Sequence, residues 1–240
     1  MATRLAVHID NILWRTITKI IKGDTNERAF YLVGFSDGEN YYVIESFEIQ
    51  YKTKTQACIV SDPYGRLILS SSLPAGVSII GVSHSHPFDY SNEKPKPSTM
   101  DLSFVYNYKE EIIMTINSTG KASAVRFSED LEELDIKVRD FPEKPKVLRI
   151  KGVYMVFPWW ASDEMIRLKA PRLYGEILYR LHFHAYLKGK RKIVVPPYEW
   201  FFVRQKYAIP HVAFGKLRNI AKEYLLNNSV TKFAQNVHSQ

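Results

Sequence analysis

The sequence predicts an α/β (α+β) fold built as two units, and three observations carry that expectation. Helix-period and strand-like apolar runs alternate along residues 1–145. Charge is unevenly placed: residues 151–240 hold 15 Lys+Arg against 5 Asp+Glu, whereas 1–150 hold 18 against 20. Between the two lies Phe141-Pro-Glu-Lys-Pro-Lys146, a charged, proline-marked stretch of linker character. The expected domains are therefore 1–145 and 146–240.

The elements follow in chain order. Leu5–Ile21 sets Val7, Ile9, Ile12, Leu13, Ile17, Ile20 and Ile21 near helical period, and Gly23 ends it, which predicts one helix. Ala29–Phe35 and Tyr41–Gln50 read as strands joined by a hairpin loop, Ser36-Asp-Gly-Glu-Asn40. Ala57–Val60 and Val77–Ser83 are further apolar, β-branched runs, the second extending toward His86. After a proline-rich loop, Ser98–Tyr108 reads as a helix, and Glu111–Asn117, Ala122–Phe127 and Leu134–Val138 return to strands around a Ser118-Thr-Gly120 turn. In the second unit Met165–Leu187 looks mostly helical despite Pro171. Tyr198–Tyr207 and Pro210–Leu226 read as two more helices; Pro210 suits a first helical position. That unit is expected to be smaller, basic and mainly helical, with a spacing compatible with a winged-helix-like module.

Composition bounds the class. The chain of 240 residues is 45% hydrophobic, 24% charged and 13% aromatic, as folded domains are. Its single cysteine, Cys58, admits no intrachain disulfide and excludes a stapled secreted scaffold. No apolar run reaches the length of a membrane span, and Met1–Leu5 leads into no signal-peptide core, so a cytoplasmic (intracellular) protein with no membrane partner is expected.

The segment that carries chemistry is Gly81-Val-Ser-His84-Ser85-His86-Pro87 followed by Pro97-Ser98-Thr-Met-Asp101. On a strand, His84 and His86 project from one face because side chains alternate. Two imidazoles and a carboxylate give three protein ligands and an open fourth position, the pattern of a catalytic zinc; a structural zinc would want four closing ligands, usually cysteines. Asp101 is the natural carboxylate, since Ser98 three residues earlier can cap a helix and hold it in the first turn. Metal-bound water needs a base, and Glu27 stands at the entrance to the apolar strand Arg28-Ala-Phe-Tyr-Leu32-Val-Gly34. Alone, a glutamate before a strand is weak evidence.

A glutamate ahead of an apolar strand with x-Leu-x-Gly, then His-Ser-His-Pro, then Ser-x-x-Asp, together resemble the JAMM (MPN+, JAB) zinc metalloprotease signature, over roughly Leu5–Val138. The resemblance implies an MPN/JAB domain related to the cytidine-deaminase-like fold for 1–145, with 146–240 as a basic, aromatic-rich accessory domain. It implies that His84, His86 and Asp101 bind Zn²⁺, that Glu27 is the general acid/base, and that Ser98 donates a hydrogen bond to the oxyanion. It further implies hydrolysis of amide or isopeptide bonds that releases a ubiquitin-like modifier from its conjugates, as in deubiquitinases and desampylases. Ser85 falls on the opposite face and receives no catalytic role. The family spacing is exceeded between His86 and Ser98: the extra residues of Pro87–Pro97 could be a lid or substrate-contact loop, could delay zinc closure, or could be an ordinary surface insertion.

The remaining candidates are weaker. His182-Phe-His184 lies in a helical pattern, where i and i+2 face apart, so a structural role is expected. His8, His211 and His238 lack ligand-spaced partners, Cys58 reads as a buried thiol, and Ser70-Ser-Ser72 as a plain loop. Lys188-Gly-Lys-Arg-Lys192, Arg218 and Lys222, with Tyr198, Trp200, Phe201 and Tyr207 nearby, could meet a nucleic acid through 151–240. That is the alternative function: a RadC-like JAMM protein whose C-terminal domain binds DNA or RNA. A basic face docking on an acidic protein surface is the competing reading of the same residues.

Overall fold

The apolar runs of the first unit become the strands of a closed barrel. The structure, a computed structural model, describes residues 5–49, 51–54, 59–61, 65–66, 69–70, 73, 76–109, 111–150, 153–171 and 173. They fall into two compact units, the first drawn from Met1–Arg66 and Ser78–Pro142, the second from Leu67–Val77 and Glu143–Tyr224. In the first, β1 (Ala6–Asp10), β2 (Ala29–Ser36), β3 (Tyr41–Glu48), β6 (Ser78–His86), β7 (Ile112–Asn117), β8 (Ala122–Phe127) and β9 (Leu131–Arg139) close in the order β1-β3-β2-β6-β7-β8-β9. A separate strand pair, β4 (Tyr51–Lys54) with β5 (Ile59–Ser61), is antiparallel. The result is a mixed α+β architecture with a sheet-dominated core.

Two faces of this sheet are covered, and that determines where the histidines point. Helix α1 (Asn11–Lys22) buries Leu13, Ile17 and Ile21, one residue per turn, in a cluster with Val7, Ile9, Leu32, Ile112, Met114 and Ile116. On the other face, α2 (Thr99–Asn107) packs Val105 against Ile113 and Val125. β7 is buried throughout because its alternate residues serve these two clusters. β6 runs parallel to it with His84 opposite Thr115 and His86 opposite Asn117. Both histidines therefore share the Ile113 face, on which α2 lies. At Gly81 the two strands pass so close that a Cβ would stand 2.1 Å from the Ile112 carbonyl oxygen, so no larger residue fits. Gly120, at φ 87°, supplies the left-handed residue of the turn between β7 and β8.

Several expectations change in detail. Leu5–Ile21 is two elements, because Asp10 caps α1 by accepting from the Ile12 and Leu13 N–H groups, and the residues before it are a strand buried between β3 and β9. Apolar alternation at Val7 and Ile9 merges into helical spacing at Ile9, Leu13 and Ile17, and the two periods read as one. Ser70 is helical where a loop is expected, and Ser71 and Ser72 lie outside the described residues. The second unit opens with an unanticipated antiparallel pair, β10 (Lys146–Ile150) with β11 (Val153–Phe157), supported by β-branched Val147 and Val156. A helical stretch over 163–171 follows, with Ala161, Met165, Ile166 and Ala170 clustered about Met155 and Phe157. The helices expected beyond 173, the basic Lys188–Lys192 run, His182, His184, His211, His238 and Cys58 lie outside the described residues. No helix among the described residues is long and apolar enough to cross a membrane.

Candidate metal centre

Three separated segments bring their polar side chains to one place at the end of β6. His84 and His86 alternate past Ser85 onto one face, and their Nε2 atoms stand 3.2 Å apart. Asp101, buried in the first turn of α2, directs Oδ1 to His84 Nε2 at 3.1 Å and Oδ2 to His86 Nε2 at 3.7 Å. Glu27, in the loop before β2, completes the cluster: ligand atoms of Glu27, His84 and His86 all lie within 4.8 Å of one another. These three form a possible metal-binding group.

Ser98 holds Asp101 in place. Its backbone N–H donates to Asp101 Oδ2 at 2.6 Å, and its hydroxyl oxygen accepts from the Asp101 N–H at 3.3 Å, a reciprocal capping box. Because that hydroxyl is an acceptor in the cap, its proton stays available to another acceptor.

The electrostatics couple these groups. Burial works against ionisation of Asp101, but the nearby His84 and His86 imidazoles, the charge of His84 and the Ser98 N–H hold its carboxyl well below the usual range. The Asp101 carboxylate, 3.7 Å from Nε2, raises His86, against an opposing effect of burial. Glu27 is raised, chiefly by burial and also by the Asp101 charge, with the two histidines opposing. A half-buried carboxyl with a raised pKa beside two imidazoles is suited to carrying a proton.

The donor set fits a divalent cation. Nitrogen and oxygen ligands about 2.0–2.1 Å from a tetrahedral centre stand about 3.4 Å from each other. The spacings of 3.2, 3.1 and 3.7 Å bracket that value. Two nitrogens and a carboxylate oxygen are borderline to hard donors, as zinc and its neighbours prefer.

The long connection Pro87–Pro97 is fastened along its length. Asn117, fully buried, donates to the Ser91 and Glu93 carbonyls at 2.9 and 3.2 Å. The Thr119 hydroxyl also donates to the Ser91 carbonyl, the Ser123 hydroxyl to that of Pro95, and the Ser118 N–H to that of Asp89. Phe88 and Tyr90 nonetheless remain 57% and 71% exposed, as Met100 does at 70% on α2. The roles of Asn117, Ser118, Thr119 and Ser123 leave no mark in the sequence, because each bonds to a main-chain carbonyl distant along the chain. His8, which has no ligand-spaced partner, is buried and stacked on Tyr42 with ring centroids 4.9 Å apart.

No family model matches this chain, and no curated protein does. Solved structures do resemble it. One is the solution structure of a protein from Desulfitobacterium hafniense, 14% identical, at TM-score 0.45, covering 56% of this chain and 94% of that one. Another is a JAB1/MPN domain protein from Archaeoglobus fulgidus, 19% identical, at TM-score 0.31, covering 54% and 98%. A third, from Salinibacter ruber, is 19% identical at TM-score 0.38, covering 56% and 92%. Likeness at this level leaves the chemistry to be argued from the site's own residues.

Proposed function

We propose that residues 1–145 form a JAMM-type zinc metalloprotease domain that hydrolyses isopeptide or peptide bonds and releases a ubiquitin-like modifier from its conjugates, with 146–240 as an accessory domain. The observation that supports it most is the convergence of Glu27, His84, His86 and Asp101 from three segments, with Ser98 capping the helix that holds Asp101. In this reading His84, His86 and Asp101 hold the ion. When bound, zinc lowers the pKa of a coordinated water and polarises the scissile carbonyl.

The chain's own groups do the rest. Glu27 accepts the proton of the attacking water and passes it to the leaving amine nitrogen, a task its raised pKa suits. The Ser98 hydroxyl, an acceptor on its helix side, donates to the carbonyl oxygen as negative charge develops there. Phe88, Tyr90 and Met100 offer exposed apolar surface to the substrate from segments adjoining His86 and Asp101. The test is incubation with a ubiquitin-like modifier joined through its C-terminal glycine to a reporter protein, both as a linear fusion and as an isopeptide. Cleavage that stops on chelation and in Glu27→Gln supports the mechanism; cleavage that survives either one overturns it.

A further inference from the structure

Ser85 stands between the two histidines, with its side chain on the opposite face of the sheet and almost wholly buried. β2 and β6 pair antiparallel up to Ala29 opposite His84, so the next step sets Arg28 against Ser85. Here the ladder departs from its usual pattern. The Ser85 N–H donates to the Arg28 carbonyl at 2.8 Å, as a ladder bond would. In return the Arg28 N–H donates, also at 2.8 Å, to the Ser85 hydroxyl oxygen, where a regular pair would use the carbonyl.

The neighbours of Glu27 are held elsewhere as well. Arg28 Nε donates to Asp24 Oδ2 at 2.6 Å, and its guanidinium pairs with Glu48 of β3. The Asn26 N–H donates to Asp24 Oδ1 at 2.8 Å, and the Ile49 N–H to the Ala29 carbonyl at 2.9 Å. Glu27 thus leaves a backbone anchored on both sides, and only its side-chain torsions remain to be ordered when it faces the imidazoles.

We propose that Ser85 is a positioning residue for Glu27: its hydroxyl replaces a ladder carbonyl, turns the chain out of β2 at Arg28, and sets the backbone from which Glu27 reaches His84 and His86. This rests on the reading of Glu27 as the base that faces the metal held by His84, His86 and Asp101, and its test needs no substrate. Amide exchange at Arg28 and the visible spectrum of the Co²⁺-loaded full chain are compared for wild type, Ser85→Ala, Ser85→Thr, Glu27→Gln and the Ser85→Ala/Glu27→Gln double variant.

In Ser85→Ala the Arg28 amide should exchange about fivefold faster or more, the factor that one lost hydrogen bond brings. Ser85→Thr, which restores the hydroxyl, should return it to the wild-type rate. The Co²⁺ spectrum of Ser85→Ala should move toward that of Glu27→Gln, and the double variant should match Glu27→Gln alone. Additive spectral changes, or an unmoved Ser85→Ala spectrum where Glu27→Gln moves, would overturn the proposal. If Ser85→Ala does not fold, Ser85→Cys, similar in size and a weaker acceptor, should show smaller changes of the same sign. A wild-type chain that binds no Co²⁺ overturns the metal reading instead, and the Arg28 exchange rate still decides whether Ser85 anchors that backbone.

Discussion

Replacing Asp101 with alanine removes the group that joins the helix cap to both histidines. The Ser98 N–H loses its acceptor at 2.6 Å, which by itself is a capping loss of about 1 kcal/mol. His84 Nε2, in a buried residue, loses its carboxylate partner at 3.1 Å and keeps only the His86 imidazole at 3.2 Å, and losing a hydrogen bond to a charged group at a buried site costs about 1–3 kcal/mol. Together the metal-free protein should lose about 2–4 kcal/mol, read as a lower urea midpoint with an unchanged slope. The loss should also depend on pH. Asp101 is depressed, so its contribution is present above the ordinary carboxyl value of 3.8 and disappears as pH falls below it. His86 is raised, so its contribution is complete below 6.5 and disappears as pH rises through its higher folded value. Both are present between these limits, and the gap between wild type and Asp101→Ala should be widest at pH 5–6, narrowing toward pH 3 and above pH 8. A gap independent of pH, or a variant as stable as wild type at pH 6, refutes the reasoning.

Three further outcomes are expected. Glu27→Gln should keep its metal by elemental analysis while cleavage of the modifier fusion falls by about 10²-fold or more, the usual contribution of a general base. Gly81→Ala should lower the melting temperature sharply or abolish soluble expression, because its Cβ would overlap the Ile112 carbonyl; wild-type thermal stability would contradict the β6–β7 approach. Phe88→Ser with Tyr90→Ser should raise KM for the fusion without altering metal content or the melting temperature, since both side chains are exposed on a loop fastened by Asn117 and Thr119.

Much of the first unit was legible because its signals are local. Strand alternation placed His84 and His86 on one face, and Ser98 three residues before Asp101 marked the cap. Glu27 is not marked locally, since nothing in its neighbourhood distinguishes a solvated glutamate from one aimed at two imidazoles; pairing of β2 with β6 makes the difference. The division of Leu5–Ile21 at Asp10 was readable in principle from the cap, but two apolar periods overlap there. Ser85 and Asn117 were invisible as supports, because their partners are 57 residues away in one case and 24–26 in the other, and backbone acceptors and donors carry no residue identity. Closure of the barrel likewise depends on β1 pairing in parallel with both β3 and β9, which no local pattern encodes.

The central claim is that His84, His86 and Asp101 hold a zinc ion. It is tested most directly by the metal content, by mass spectrometry, of the full chain purified without added chelator, alongside His84→Ala and Asp101→Ala variants confirmed to be folded. The account predicts about one zinc per wild-type chain and a loss in both variants. Wild-type protein devoid of metal under zinc-replete growth, or zinc retained in full by His84→Ala, would contradict it.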